Sequence, residues 1–164
     1  MTIGIDSRDL RKVLGRFATG ITVMTCQTSK HGLAGMTVNS FASLSLNPPL
    51  ILWSIDKGSD QFDQFAESSH FAVNVLSSDQ LGISNNFAKP SPDRFRNVHY
   101  SIGFSGAPLL EGVVAQLQCR VKERLEAGDH ILIIGEVLHA TSTDKEPLLY
   151  FGGQYMQLAK AETS

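Results

Sequence analysis

The chain holds 164 residues with a formal net charge of -2; 42% are hydrophobic, 18% are charged and two are cysteines. That length suits one domain over residues 1–164 with a substantial core, and the apolar, near-neutral balance excludes a disordered chain. Slight acidity argues against nucleic acid as a partner, since such proteins carry a basic stripe.

The first twelve residues are polar and charged, without the apolar core of a signal peptide. Leu10, Val13, Leu14 and Phe17 then recur at i, i+3, i+4, i+7, one apolar helical stripe capped by Asp6 or Ser7 and ended at Gly20, with Phe17 expected in the core. Residues 21–27 are rich in Thr and Val and read as a strand, and Ser29-Lys30-His31-Gly32 as its turn. Residues 33–46 run through small, hydroxyl and apolar side chains until Asn47-Pro48-Pro49 breaks them before a strand over 50–55.

A short helix over 61–67 carries Phe62, Phe65 and Ala66; a strand over 71–76 follows, then a helix with Leu81 and Phe87, capped by Ser77 or Ser78. Residues 89–112 hold most of the prolines and read as loop, with Arg94 and Arg96 as solvated charges. Val113, Ala115, Leu117, Cys119 and Val121 alternate with polar Gln116, Gln118, Arg120 and Lys122, a long antiparallel strand with one wet face. Ala127-Gly128-Asp129-His130 turns the chain into a strand over 131–141 that starts as an apolar run buried on both faces. Residues 147–151 and 154–158 flank Gly152-Gly153. Many strands with few helices between them favour an antiparallel barrel, because parallel crossovers need a dozen or more residues each.

Cys26 and Cys119 show neither CxxC nor metal-type spacing, and each lies in an apolar strand-like run. They read as buried, reduced thiols, as in a cytoplasmic protein. No apolar stretch approaches the ~20 residues of a membrane span. The five histidines lack metal-ligand spacing, and neither a phosphate-binding glycine loop nor a nucleophile elbow is present. The segment from His31 to Ser45 is unusual: it lies between two strands yet carries few bulky apolar residues. Small residues let a planar ligand approach backbone N–H and C=O groups, and Thr37, Asn39, Ser40 and Ser43 add polar groups at short intervals. A solvated edge strand would look the same.

Six stretches carry a family likeness in order along the chain: Gly15-Arg16-Phe17-Ala18-Thr19-Gly20-Ile21-Thr22-Val23, Gly35-Met36-Thr37-Val38-Asn39-Ser40-Phe41, Ser43-Leu44-Ser45-Leu46-Asn47-Pro48-Pro49-Leu50, Phe71-Ala72-Val73-Asn74-Val75-Leu76, Gly128-Asp129-His130 and Pro147-Leu148-Leu149-Tyr150-Phe151. With these, the sequence resembles the short-chain flavin reductases, which have a mainly β, FMN-binding antiparallel split β-barrel. The resemblance implies reduction of FMN or FAD by NADH or NADPH, a homodimer, and transfer of reduced flavin to a partner monooxygenase.

It also implies site residues. Thr37, Asn39 and Ser40 would face the polar edge of the isoalloxazine, with Ala42 and Ser43 at the ring or ribityl chain. Ser54, Ile55, Asp56 and Ser59 would meet the ribityl and phosphate, and Phe87, Ala88 and Lys89 the phosphate or, in FAD, the adenylate. His130 would help place the nicotinamide, with Phe151 and Tyr155 near the same pocket. Two alternatives stay open at this point: a split-barrel protein that keeps its FMN and reduces another acceptor, and a non-catalytic flavin-binding module.

Overall fold

The computed structural model describes residues 4–161. Helix α1 (Ser7–Leu14) starts on Asp6, whose carboxylate accepts from the N–H groups of Arg8 and Asp9. Strands β1 (Thr19–Gly20), β2 (Thr22–Thr28), β3 (Gly32–Val38), β4 (Ala42–Leu46) and β5 (Pro49–Asp56) follow. Helix α2 (Phe62–Glu67), strand β6 (His70–Val75) and helix α3 (Leu81–Ala88) come next. The chain closes with β7 (Tyr100–Ile102), β8 (Pro108–Leu110), β9 (Ala115–Ala127), β10 (His130–Ser142), β11 (Leu149–Phe151) and β12 (Gln154–Met156).

Seven strands form one sheet in the order β3-β2-β6-β9-β10-β5-β4, with every pairing antiparallel. Laid flat, its two edges would stand ~29 Å apart at the usual strand spacing. Yet those edges, β3 and β4, are consecutive in the chain, and only residues 39–41 lie between them. So short a link spans at most ~14 Å, so the sheet must curl until its edges approach at that end. The two edges do not pair with each other. The result is a barrel left open along one seam, the split form that the family resemblance implies.

The inward face of the curl carries Met24, Cys26, Trp53, Ile55, Phe71, Val73, Cys119 and Ile133, all essentially inaccessible. Trp53 meets the edge of Phe65 at a centroid distance of 5.1 Å and tilts against Phe71 at 5.8 Å. A second core lies outside the sheet, where Val23, Leu76, Phe87, Leu110 and Leu148 pack together. Strands β2 and β6 are thus buried on both faces, which their Val- and Thr-rich sequences suit.

Several expectations need correction. Residues 33–46 are two strands on opposite edges, not one run. The α1 stripe exists, but no residue of the helix is buried, and Phe17 is 79% exposed rather than in the core. Gly15, not Gly20, caps that helix at its C-terminus. Helix α3 begins after Gln80 without a side-chain cap; the Ser77 hydroxyl instead donates to the Gly112 carbonyl at 2.8 Å. Residues 89–112 contain the β7–β8 hairpin, which covers part of the face expected to be wet: Gln118 is buried, and the Gln116 amide donates to the Leu110 carbonyl at 2.6 Å. On β10 only Ile133 and Gly135, on the inward face, are fully buried; Ile131 on that face and Leu132 and Ile134 on the outside are half-buried. Both cysteines are buried and free, as expected.

Gly135 on β10 shows how closely the inner face is filled. A Cβ there would stand 2.5 Å from the Phe71 ring and 3.2 Å from the Cys119 Cβ. Phe71 is held by Trp53 and has no room to yield. Gly135→Ala should therefore destabilise the protein by ~1–3 kcal/mol, read as a lower urea midpoint with an unchanged denaturant slope.

Candidate functional site

The polar groups at the seam are arranged by the short link itself. Asn39 is exposed at the end of β3, and Ser40 is half-buried beside it. The Ser40 hydroxyl accepts the Ser54 N–H and donates to the Ser54 carbonyl, both at 3.1 Å, so the link is tied to β5. The Thr37 hydroxyl donates to the Ser84 carbonyl of α3 at 2.7 Å, joining the edge strand to the helix above it. With their protons engaged, Thr37 and Ser40 offer a ligand acceptor lone pairs only, whereas the Asn39 amide offers both donor and acceptor.

Two cavities open on this link. One, of about 220 Å³, is lined by Ile21, Thr37, Val38, Asn39, Ala88, Tyr150 and Tyr155. The other, of about 680 Å³, lies between Asn39, Ser40 and Tyr150 on one side and Arg11, Leu14 and Phe17 on the other. They share Asn39 and Tyr150. Thr19 lines the larger one, and its hydroxyl is buried without a hydrogen-bond partner, a group whose lost hydration calls for compensation. Tyr155 is fixed by its own hydroxyl, which stands 2.8 Å from the Ser84 Oγ and donates to the Asn85 Oδ1 at 3.4 Å.

Further residues gather at the adjoining strand ends. His130 pairs with Asp56 across the β5–β10 ladder, and its Nδ1 lies 2.6 Å from the Asp129 carboxylate. That contact holds the Asp129 carboxyl below its usual range. The turn after β5 is ordered by the Asp56 carboxylate, which accepts the Gly58 N–H at 2.7 Å, and by the Ser59 hydroxyl, which accepts the Gln61 N–H at 3.2 Å. The Gln61 side chain then accepts the Gly35 N–H at 3.1 Å.

The residues singled out from the sequence thus separate into groups. Thr37, Asn39, Ala88 and Tyr155 share one cavity, Ser40 and Ser54 are bonded, and His130 stands beside Asp56. Ile55 and Phe87 are 1% exposed and belong to the cores, so a ligand meets only their backbone. Ala42 and Ser43 are exposed on the β4 edge, paired to Leu52 and Ile51, outside both cavities. Phe151 is covered by the Arg16 guanidinium, 4.5 Å from its ring centre. Lys89 is exposed at the end of α3.

Sequence reasoning missed Thr19 and Arg94. Arg94 is not a solvated charge: its side chain is 5% exposed and pairs with Asp60 at 2.9 Å. Only Arg96 of that pair remains exposed. A lone Arg in a Pro- and Ser-rich loop gives no periodic signal of burial, so nothing in the pattern distinguished the two.

A flavin fits this donor set. A planar ring with an imide edge needs amide and hydroxyl groups at its rim, which the seam supplies at Asn39, Thr37 and Ser40. Among the described residues, no three of His, Cys, Asp or Glu gather as metal ligands, and no helix is long and apolar enough to cross a membrane.

An unclosed antiparallel β-barrel with two cavities opening on its seam has the split-barrel architecture. The family model described as "Flavin reductase like domain" matches residues 14–159. The FMN reductase (NADH) SmoA of Agrobacterium fabrum is 43% identical over 96% of this chain and 89% of its own length. The reductase component of the flavin-dependent trigonelline monooxygenase of Acinetobacter baylyi is 42% identical over 95% of this chain, which spans 50% of that protein. Among solved structures, the Streptomyces globisporus NADH:FAD oxidoreductase SgcE6 in complex with NAD and FAD fragments superposes with a TM-score of 0.91 at 39% identity, covering 98% of this chain and 99% of that one. The chain belongs to the flavin reductase-like family.

Burial pushes the thiols of Cys26 and Cys119 up to about 12. At pH 8 only about one thiol in ten thousand is then charged. A thiol-disulfide exchange reagent should leave the native protein unlabelled and react with both thiols once denaturant is added.

Proposed function

We propose that this chain, acting as one domain over residues 1–164, oxidises NADH or NADPH at the expense of FMN or FAD and passes the reduced flavin to a separate monooxygenase. The observation that carries this reading is the pair of cavities that share Asn39 and Tyr150, the larger also lined by Thr19. Relatives named as reductase components of monooxygenases support the same partner. A cytoplasmic location agrees with two free, buried thiols.

When bound, flavin and nicotinamide supply the hydride chemistry themselves. What the chain must do is hold and align them, which converts a collision into a fixed geometry. In this reading Thr37, Asn39 and Ser40 meet the polar edge of the ring, and Ala42, Ser43, Ser54 and Ile55 flank it along the β4–β5 edge. Ser59, Phe87, Ala88 and Lys89 bound the phosphate end, where turn N–H groups and an ammonium suit an anion. His130, braced by Asp129, orients the nicotinamide, while Phe151 and Tyr155 close the far wall.

The active unit is a homodimer in this reading. Leu44 and Leu46 on β4 and Leu125 on β9 are exposed, and Leu132 and Ile134 are half-buried on the outer face of the same sheet. Edge strand β4 also leaves backbone groups unpaired on its free side. A second copy covers that apolar face beside the Ser40–Ser54 contact, and so shields the site from water.

Three measurements test these assignments. Purified protein under air should oxidise NADH or NADPH in proportion to added FMN or FAD; no flavin dependence would refute the reductase reading. Thr37→Val should weaken flavin binding by ~5–10-fold, the effect of one hydrogen bond, and leave the KM for the nicotinamide nearly unchanged, whereas His130→Ala should do the reverse. Leu44→Glu with Leu125→Glu should halve the mass seen by sedimentation; an unchanged mass would place the interface elsewhere.

A further inference from the structure

Arg94 is the most deeply buried charged side chain among the described residues. Its Nη2 donates to both carboxylate oxygens of Asp60, each at 2.9 Å, and its Nε donates to the Lys89 carbonyl at 3.0 Å. Its Nη1 is buried without a partner. The backbone that carries it is tied down as well. The Asn86 amide donates to the Arg94 carbonyl at 2.6 Å, and neighbouring Phe95 meets Phe87 and Tyr100 edge-on at 5.1 and 5.2 Å.

As a stability device this is a poor choice. Desolvating a guanidinium costs several kcal/mol, and an apolar side chain of similar volume usually serves a core as well or better. A fork-shaped cation does, however, provide a rigid spacer. One planar group holds the residue after Ser59 at one end and the carbonyl of Lys89 at the other. Lysine, a point charge on a flexible stem, cannot fix both partners at set angles.

We propose that Arg94 is a positioning residue: it sets the gap between the turn bearing Ser59 and the end of α3 at Lys89, and so tunes affinity for the phosphate end of the flavin without touching it. The inference rests on the functional reading above, in which Ser59 and Lys89 flank that phosphate. The Ser59 turn is tied to β3 through Gln61, and two further braces hold it. Asp56 fixes it to β5 through the Gly58 N–H, and Arg94 fixes it to α3 through Asp60. Remove the second brace and the turn keeps its local shape but loses its distance from Lys89.

Riboflavin has the same ring as FMN but no phosphate, so it isolates this effect. Quenching of flavin fluorescence gives the Kd of each in the wild type, in Arg94→Lys and in Asp60→Asn; Asp60 is half-exposed, so its variant keeps the test open should Arg94→Lys fail to fold. The wild type should bind FMN more tightly than riboflavin. Either variant should cut that preference by about tenfold while the riboflavin Kd stays within about twofold. A variant that folds and keeps the wild-type preference overturns the proposal alone. Equal loss of both affinities also overturns it, because a merely structural residue behaves that way. A wild type that binds riboflavin and FMN equally would remove both the proposal and the phosphate assignment of Ser59 and Lys89.

Discussion

A link of three residues between two free sheet edges is the constraint on which the molecule is built. Because residues 39–41 join β3 to β4, the outermost strands of a seven-stranded sheet are forced together at one end. The curl that follows creates an inside for Trp53, Phe71 and Ile133. It also creates a seam. At that seam Asn39 and Ser40 present polar groups to whatever lies in the gap. Core and site are therefore two results of one short connection.

Redox chemistry carried by bound cofactors makes modest demands on protein functional groups. It needs no strong nucleophile, and the two thiols in this chain are sealed in apolar surroundings that keep them protonated. What it needs is stiffness where the ligands lie. The seam gets this from hydrogen bonds reaching across elements: Thr37 to α3, Ser40 to β5, Tyr155 to α3, Gln61 to β3. Each ties a segment at the cleft to a partner distant in sequence.

The regular elements were legible because their cause is local. Alternation along 113–121, the glycine turn at Gly128 and the double glycine at 152–153 all encode backbone geometry in residue type, and β9, β10, β11 and β12 fall where they point. The burial of α1 was not legible. Its stripe shows that an apolar face exists, but only the packed chain shows that nothing among the described residues covers it. Gln118 and Arg94 escaped for the same reason. A polar side chain is buried by what packs on it, here the β7–β8 hairpin for Gln118 and the Asp60 turn with the end of α3 for Arg94, and neither leaves a mark at the residue itself. Of the candidate site, the small and hydroxyl-bearing segment from His31 to Ser45 stood out on composition. The grouping of Ser59, Lys89 and His130 came only from family resemblance, since residues so far apart share no spacing signal.

Burial is distributed unevenly across the sheet, and this has a dynamic consequence. Strands β2 and β6 are packed on both faces at its centre, while β3 and β4 are edges with β4 almost wholly exposed. Opening free energies follow such gradients, from near zero at solvated edges up to the global value in doubly packed strands. Amide hydrogens of β4 then exchange through small local openings, and those of β2 and β6 only when the whole sheet comes apart. The link on which both cavities open thus joins the two edge strands of the seven-stranded sheet. A molecule seated there would be reported by slowed exchange along β3 and β4, with the centre of the sheet already too protected to respond.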